Sequence, residues 1–315
     1  MLNELEKNIY QTIAWFDIFD YPLTAWEILK WGYKLPINNY QSLIGELERS
    51  EELKKLISYK DGFYFLRWRD NLVKLRKERY LLAEKKYKKL LKIAKILAII
   101  PFVKMIAVAD GLSYSNSKEE DDIDLFIITA KNRIWLVRFL SILILKILRA
   151  RPTPLNKKDK ICLNFFITEE NLNLEKICLP KKDDLADIYF IYWLAWLYPI
   201  YDEGIWQKFI EANLWIKDYL PNYFPQEPIL RRKIILKPIL QFFKKVCQKI
   251  HSKSFNGLSE KFYRWLQLKI MPKYIKEMAN KNTSVIIDDQ ILKFHDKDKR
   301  EIYRKKFYEK IRQIN

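Results

Sequence analysis

The sequence predicts an α+β protein, in which a small mixed β-sheet lies between an N-terminal group of short helices and a C-terminal helical region. Short apolar runs bounded by polar loops, at 102–109, 125–128 and 161–167, are typical of buried strands. On both sides of these runs, apolar residues recur at the three- and four-residue spacing of amphipathic helices. The chain of 315 residues is 49% hydrophobic and holds six glycines, which favours packed cores and argues against a β-barrel with many tight turns.

Residues 1–68 predict three short helices followed by a β-hairpin. The second helix begins with a capping box, because Thr24 is followed three residues later by Glu27. The hairpin joins 56–59 to 63–66 through a Lys-Asp-Gly turn. This order of elements resembles a winged-helix module, in which the third helix and the hairpin commonly contact nucleic acid.

The charge of the third helix opposes a nucleic-acid role for this module. The segment from Gln41 to Glu52 carries four glutamates against one arginine, whereas a helix that binds a DNA groove is normally basic. We therefore expect the winged-helix-like module to contact protein or to pack within the chain. Nucleic-acid binding is the alternative.

Residues 69–99 predict a long basic helix that links this module to the next segment. Asp70 is placed to cap its start, and Pro101 follows its end. Lysines and arginines occupy much of the face that is not apolar. They form either a solvated helix face or a ridge that leads a polyanion toward the following segment.

Residues 100–182 contain the segment with the strongest chemical signal. A predicted strand at 102–109 leads into a polar loop, and a second strand opens with Asp122 and Asp124. Because side chains alternate along a strand, both carboxylates project from the same face, about 7 Å apart along the chain. Unpaired carboxylates are too costly to bury in a core, so we expect them to bind hard divalent cations such as Mg²⁺. The alternative is a solvent-exposed strand edge that carries protective charges.

The block Val108–Leu125 resembles the nucleotidyltransferase superfamily, which includes DNA polymerase β, the CCA-adding enzymes and the minimal nucleotidyltransferases. The shared features are the apolar strand, the small-residue turn, a spacer of matching length and the run Asp122-Ile123-Asp124-Leu125. The resemblance implies a small nucleotidyltransferase domain in which Asp122 and Asp124 hold two Mg²⁺ ions. It also implies transfer of a nucleotidyl group from a nucleoside triphosphate (NTP) to a hydroxyl acceptor.

The chain departs from the family pattern at the phosphate turn and at the third carboxylate. Where the family has Gly-Ser, this chain has Asp110 and Gly111, so we expect Gly111 and Ser113 to line the phosphate turn beside the added charge of Asp110. On the third strand, the resemblance gives Asn164 the remaining metal-facing position. An asparagine can bind a cation but cannot act as a general base, which leaves Asp159 or Asp110 as substitutes. The alternative is a catalytically degenerate member that acts as a nucleic-acid-binding or regulatory module.

Basic residues follow the predicted helix at 133–149, near the third strand. Arg149 and Arg151 are therefore candidates to bind the triphosphate or a nucleic acid. A solvated basic loop is the alternative interpretation.

The last third of the chain carries most of the positive charge. Of the formal net charge of +19, residues 231–315 contribute +15, from 23 Lys and Arg against 8 Asp and Glu. Within the predicted helical region at 183–315, basic helices with interleaved aromatic residues predict RNA binding through 229–315. An anionic membrane surface and an ordinary helical bundle with a lysine-rich exterior are the alternatives.

Cysteine and histidine content excludes several other kinds of site. Three cysteines without CxxC spacing and two distant histidines argue against a disulfide framework, a Cys-based zinc site and a His-ligated metal. The charged N-terminus and the lack of an apolar run of membrane-spanning length predict a cytoplasmic location. The sequence thus predicts a cytoplasmic, Mg²⁺-dependent nucleotidyltransferase whose preferred acceptor is RNA, and it leaves the oligomeric state open.

Overall fold

A mixed β-sheet organises the computed structural model, which describes residues 1–182, 185–254 (side chains to 250) and 258–312. In chain order the strands are β1 (Ile57–Lys60) and β2 (Phe63–Leu66), which form a separate hairpin, and β3 (Val103–Val108), β4 (Ile123–Thr129), β5 (Ile161–Thr168), β6 (Tyr198–Asp202), β7 (Val285–Ile287) and β8 (Ile291–Phe294). The six-stranded sheet has the order β6-β3-β4-β5-β8-β7. Strands β4 and β5 run parallel, and the other neighbouring pairs are antiparallel. The prediction of an α+β chain with a mixed sheet is confirmed.

Helices pack on both faces of this sheet. In chain order they are α1 (Glu4–Asp17), α2 (Ala25–Lys30), α3 (Tyr40–Arg49), α4 (Glu51–Leu56), α5 (Asn71–Ile99), α6 (Asp110–Ser113), α7 (Ile134–Ile147), α8 (Ile188–Ala195), α9 (Trp206–Ala212), α10 (Pro238–Ser254), α11 (Leu258–Ile270), α12 (Lys273–Met278) and α13 (Arg300–Arg312). One core contains Ile106 and Ile127 of the sheet together with residues of α5 and α7. The other core contains Met105 and Phe126 together with residues of α1, α2, α8, α9 and α13.

The N-terminal helices share the second core with the sheet. The predicted start of α2 is confirmed, because Thr24 and Glu27 form the predicted capping box there. Trp15 of α1 stacks on Tyr192 of α8, with ring centroids 5.1 Å apart, and meets Phe307 of α13 edge-on at 5.6 Å. An aromatic layer therefore joins the beginning, the middle and the end of the chain.

The prediction of a purely helical C-terminal region is wrong for three segments, which form β6, β7 and β8. Strand β6 pairs with β3 and has no further neighbour in the described sheet, so Pro199, which cannot donate a ladder hydrogen bond, is tolerated there. Strand β8 pairs with β5 on the other side. The predicted helix start at Asp183-Asp184 lies outside the described residues, and α8 begins after Asp187, whose carboxylate accepts a hydrogen bond from the Phe190 amide at 3.2 Å.

The predicted strand–turn–strand segment is present as β3, α6 and β4. The amide of Ala109 donates a hydrogen bond to the Asp124 carbonyl at 3.0 Å, which holds the turn after β3 beside the start of β4. The parallel pairing of β4 with β5 sets Cys162 opposite Asp124. These three strands bring the turn, Asp124 and the first residues of β5 to one end of the sheet.

No helix within the described ranges has both the length and the apolar composition that crossing a lipid bilayer requires.

Candidate functional site

A cavity of about 390 Å³ opens at this end of the sheet, and we call it the carboxylate cavity. Five aspartates line it, namely Asp20, Asp110, Asp121, Asp122 and Asp124. Asp20 forms ion pairs with Arg69 and Arg79, at 2.6 and 3.3 Å. The walls of the cavity come from distant parts of the chain: the link between α1 and α2, the turn after β3, the loop before β4, helix α8 and the start of α13. Concave, partly apolar sites with a few convergent polar groups are typical of ligand-binding sites.

Asp122 and Asp124 lie together in this cavity, as their alternation along the sequence predicts. Asp124 belongs to β4, Asp122 directly precedes that strand, and both side chains are partly buried. Burial raises the pKa of Asp122 above its ordinary value. Burial, followed by the nearby charges of Asp110 and Asp122, raises the pKa of Asp124 still more strongly. Carboxylates in this arrangement favour the binding of a proton or a cation.

Asp110 adds a third carboxylate from the turn. Its backbone is in the left-handed region, with a φ of 51°, which is uncommon for a residue other than glycine. The Tyr189 hydroxyl donates a hydrogen bond to Asp110 Oδ1 at 2.8 Å, and burial raises the pKa of this carboxyl. The hydrogen bond from Tyr189 therefore fixes the orientation of a carboxylate that lines the cavity.

The chemistry of the donor atoms fits a hard cation. Ligand atoms of Asp122, Asp124 and Cys162 all lie within 4.8 Å of one another. Burial, followed by the charge of Asp124, raises the pKa of the Cys162 thiol. A protonated thiol is a poor metal ligand, so the carboxylate oxygens are the available ligands. Mg²⁺ prefers oxygen ligands.

Asn164 contacts the site without lining the carboxylate cavity. Its Nδ2 donates a hydrogen bond to Asp124 Oδ1 at 3.1 Å. The same side chain lines a second cavity of about 310 Å³, together with Arg151. Asp159, the other candidate for the third carboxylate, forms ion pairs with Lys86, at 3.0 Å, and with Lys89 instead. Among these candidates, Asp110 is the one whose carboxylate lies in the cavity.

The two residues predicted for the phosphate turn are placed differently. Gly111 lines the cavity, and a Cβ atom on it would lie 3.1 Å from the Asn116 carbonyl oxygen, so a side chain there would crowd the turn. Ser113 is buried, and its hydroxyl donates a hydrogen bond to the Asp110 carbonyl at 2.7 Å. Its observed contact stabilises the turn, and Ser113 is not among the residues that line the cavity.

The predicted basic residues lie away from the carboxylates. Arg149 and Arg151 are exposed and are not among the described residues that line the carboxylate cavity. Two lysines that sequence reasoning missed, Lys118 and Lys299, do line it. They precede β4 and α13, respectively, so that positively charged side chains line the cavity together with its aspartates.

Aromatic side chains line one wall of the carboxylate cavity, and the sequence analysis did not assign them to the site. Tyr189 stacks on Tyr303 with ring centroids 4.9 Å apart, and Phe19 lies 5.0 Å from Tyr303. Trp193 of α8 and Trp196, which directly follows α8, complete the wall. Their spacing from Tyr189, four and seven residues, puts all three on one helix face and was the available signal, whereas Tyr303 lies more than 100 residues away and has no local signal.

Comparisons of the chain with protein-family models, with curated proteins and with solved structures returned no match. The likeness of Val108–Leu125 to nucleotidyltransferases is therefore a resemblance in sequence pattern. What the protein does has to be inferred from the chemistry of the carboxylate cavity.

Proposed function

We propose that the protein binds an NTP together with a divalent cation in the carboxylate cavity and transfers its nucleotidyl group to a hydroxyl acceptor. The observation that carries this proposal is the convergence of Asp110, Asp122 and Asp124 on one aromatic-walled cavity, beside the backbone of Gly111. Carboxylates supply the ligands for a metal–triphosphate complex, and aromatic rings supply a surface for a base. The resemblance of Val108–Leu125 supports the same reaction class.

Asp122 and Asp124 are the residues that would hold Mg²⁺, which activates an attacking hydroxyl and stabilises the leaving pyrophosphate in such reactions. Asn164 orients Asp124 through its donated hydrogen bond. Gly111 lines the cavity, so its backbone is accessible to phosphate oxygens there. Lys118 and Lys299 give positive charge at the cavity wall for the triphosphate.

In the proposed reaction, the acceptor oxygen attacks the α-phosphorus of the NTP. A new oxygen–phosphorus bond forms, the bond from the α-phosphorus to the bridging oxygen breaks, and pyrophosphate leaves. We assign the acceptor proton to the Asp110 carboxylate, because the Asn164 amide cannot take it. Tyr189 holds that carboxylate in position.

RNA remains the predicted acceptor. Five basic side chains described after residue 230 are buried, namely those of Arg232, Lys244, Lys293, Arg300 and Arg304. The charge that this segment can offer to RNA is therefore smaller than its formal +15. Because β7, β8 and α13 belong to the sheet and its core, the RNA contribution has to be tested with surface substitutions rather than by truncation.

Nucleotide binding without catalysis is the second candidate function. It is favoured by Asn164, which stands beside Asp124 where the resembled enzymes have a third carboxylate. It is also favoured by the Ser113 hydroxyl, which is engaged by the Asp110 carbonyl. In this alternative, the cavity binds the metal–NTP complex and no label is transferred.

Incubation with α-labelled NTPs, Mg²⁺ and total RNA tests the proposal. We expect label in an acceptor with the wild type, and at least about a hundredfold less with the Asp122→Ala/Asp124→Ala variant, because the charge stabilisation worth several kcal/mol is lost. Glu119→Gln/Glu120→Gln is the matched control. It removes two negative charges from exposed side chains just before the site, so it should keep full incorporation.

Two outcomes count against the proposal in different ways. Incorporation that persists in the Asp122→Ala/Asp124→Ala variant would show that the carboxylate cavity is not the active site. NTP binding without incorporation into any acceptor would replace the proposal with the second candidate.

A further inference from the structure

Helix α10 is oriented with a polar residue inward and its large apolar residues outward. Ile239, Phe242, Phe243 and Ile250 follow one another at helical spacing on one face, and each is more than half exposed. The opposite face buries Lys244, which is 2% exposed. A surface helix usually covers the core with its apolar residues, and on α10 Leu240 does so while these four do not.

Helix α11 also exposes large apolar residues, while its Tyr263 and Leu268 pack against the core. Leu258, Phe262 and Trp265 lie on one face and are 72%, 54% and 55% exposed, respectively. Glu260 and Gln267 point the other way and are buried. Two successive long helices therefore present large apolar side chains to the outside, and we call these two outward faces together the α10–α11 face.

Specific polar contacts fix the orientation of α10. The Lys244 ammonium donates hydrogen bonds to the carbonyls of Ala98 and Val103, at 2.9 and 2.7 Å, and forms an ion pair with Glu203 at 2.9 Å. A buried ammonium needs such partners, so rotating α10 to bury its phenylalanines would leave this charge and these carbonyls unpaired.

Helix α11 is fixed in the same way. The Glu260 carboxylate accepts hydrogen bonds from the Trp135 and Leu136 amides at the start of α7, at 2.6 and 3.2 Å. Gln267 donates to the Trp135 carbonyl at 2.7 Å and accepts from Arg138 at 2.6 Å. The outward apolar residues are thus a consequence of satisfied polar anchors and belong to the native packing.

Positive charge accompanies the exposed apolar residues. Residues 238–270 contain seven Lys and Arg, one of which is the buried Lys244, and one acidic residue, the buried Glu260. Lys245 lies beside the apolar stripe of α10, and the Lys269 ammonium lies 5.1 Å from the centre of the Trp265 ring on α11. An apolar stripe with bulky aromatic residues and flanking lysines is the pattern of helices that lie in the interface of an anionic membrane.

We propose that the α10–α11 face binds the surface of a bilayer that contains anionic lipids, with its apolar side chains among the acyl chains and its lysines at the headgroups. RNA matches the charge but offers no apolar environment for Ile239, Ile250 and Leu258. A second copy of the chain matches the apolar residues but brings the same positive charge, which opposes pairing. A bilayer with anionic headgroups matches both properties.

Sedimentation of the full chain with lipid vesicles tests this proposal. We expect the protein to bind vesicles of equal parts phosphatidylcholine and phosphatidylglycerol at least about tenfold more tightly than vesicles of phosphatidylcholine alone, since each lysine near an anionic surface adds to affinity. Raising the salt concentration should reduce this difference, because screening weakens the attraction between lysines and headgroups.

Phe242→Ser/Trp265→Ser removes one large apolar side chain from each helix and should weaken binding about tenfold or more. Trp68→Ser/Leu155→Ser is the matched control, because these side chains are 87% and 99% exposed but lie outside α10 and α11. The control should bind vesicles as the wild type does. Both variants should keep the wild-type melting temperature and NTP affinity, since they change exposed residues outside the carboxylate cavity.

Several results would overturn the proposal. Equal binding to the two kinds of vesicle, no binding to either, or equal weakening by the two variants would each remove the membrane role. A wild-type dimer that Phe242→Ser/Trp265→Ser converts to a monomer would instead assign the α10–α11 face to a second copy of the chain. Loss of RNA binding in that variant, with vesicle binding unchanged, would assign the face to RNA.

Discussion

Asp110, Asp122 and Asp124 lie close enough in the carboxylate cavity for their charges to interact. Burial raises the pKa of Asp110, Asp122 and Asp124, and the charges of Asp110 and Asp122 raise that of Asp124 further. Such a cluster opposes folding when all three groups are ionised, and a bound cation relieves the repulsion. Cation binding at this site should therefore increase the stability of the protein.

Asp124→Asn is expected to change stability in opposite directions with and without metal. In a chelator, the variant should melt at or above the wild-type temperature, because one of three mutually repelling charges is gone. With saturating Mg²⁺, the wild type should gain about 2–4 °C and the variant should gain little, because a ligand is lost. Thermal unfolding with and without Mg²⁺ measures both effects.

Glu120→Gln is the control for this comparison, because Glu120 is an exposed carboxylate outside the cavity lining. It should respond to Mg²⁺ as the wild type does. A Mg²⁺-dependent gain of the same size in Asp124→Asn would contradict the assignment of Asp124 as a ligand.

The pattern of neighbouring residues in the sequence was enough to predict the positions of some site residues but not of others. Alternation along a strand predicted that Asp122 and Asp124 face the same side, because that property depends on the backbone of a few residues. The position of Cys162 depends on the register between β4 and β5, and that of Tyr303 on the packing of α13. Neither arrangement is encoded in the residues next to the site.

At the scale of elements, the central strands were predictable and the outer strands were not. The apolar runs that form β3, β4 and β5 are long and buried on both faces, which makes their sequence signal strong. Strand β6 contains Pro199 and directly follows an apolar helix, so its sequence indicates a helix end. Strand β8 is short and carries Lys293 in its interior, which is a residue type that rarely occurs in a buried strand.

The burial of Lys293 predicts that the free energy of unfolding depends on pH. It is fully buried, its ammonium donates a hydrogen bond to the Thr283 carbonyl at 2.6 Å, and burial lowers its pKa to about 7. In the unfolded chain this pKa is about 10.4, so above pH 7 the unfolded state binds more protons than the folded state. The contribution of Lys293 to stability should therefore rise with pH above 7, with a limiting slope of about 1.4 kcal/mol per pH unit.

Lys293→Met keeps a long side chain and removes the titrating group. Denaturant unfolding between about pH 7 and pH 9 should show the free energy of unfolding of the wild type rising relative to that of the variant. Lys297→Met, at an exposed position nearby, should leave the wild-type profile unchanged. Parallel pH profiles for the wild type and Lys293→Met would contradict this prediction.

At the scale of the whole molecule, the cavity is assembled by the two ends of the chain. Phe19 comes from the link after α1, Lys299 directly precedes α13, and Tyr303 lies in the first turn of α13. These residues line the same cavity as Asp110, Asp122 and Asp124, which lie in the middle of the sequence. Sequence reading divided the chain into consecutive modules and so could not place these residues at one site.

Substitutions in α13 and just before it test its role in NTP binding. Tyr303→Leu keeps an apolar side chain but removes the ring, and it should weaken NTP binding about tenfold if a base packs there. Lys299→Ala should weaken NTP binding about threefold through lost attraction to phosphate. Isothermal titration with an NTP and Mg²⁺ measures both.

Lys297→Ala is the matched control for Lys299→Ala, because Lys297 is also exposed but does not line the cavity. It should bind NTP as the wild type does. Unchanged affinity in both Tyr303→Leu and Lys299→Ala would show that α13 packs on the core without contacting the nucleotide.

The central claim is that Asp122 and Asp124 hold the cation of a bound metal–NTP complex. Crystals grown with Mn²⁺ and a non-hydrolysable NTP analogue test it most directly, because Mn²⁺ takes the oxygen ligands of Mg²⁺ and gives an anomalous signal. We predict an anomalous peak bonded to carboxylate oxygens of Asp122 and Asp124, with the analogue's phosphates beside Gly111. Nucleotide bound at another site, or in this cavity with no Mn²⁺ peak at the two aspartates, would contradict the account.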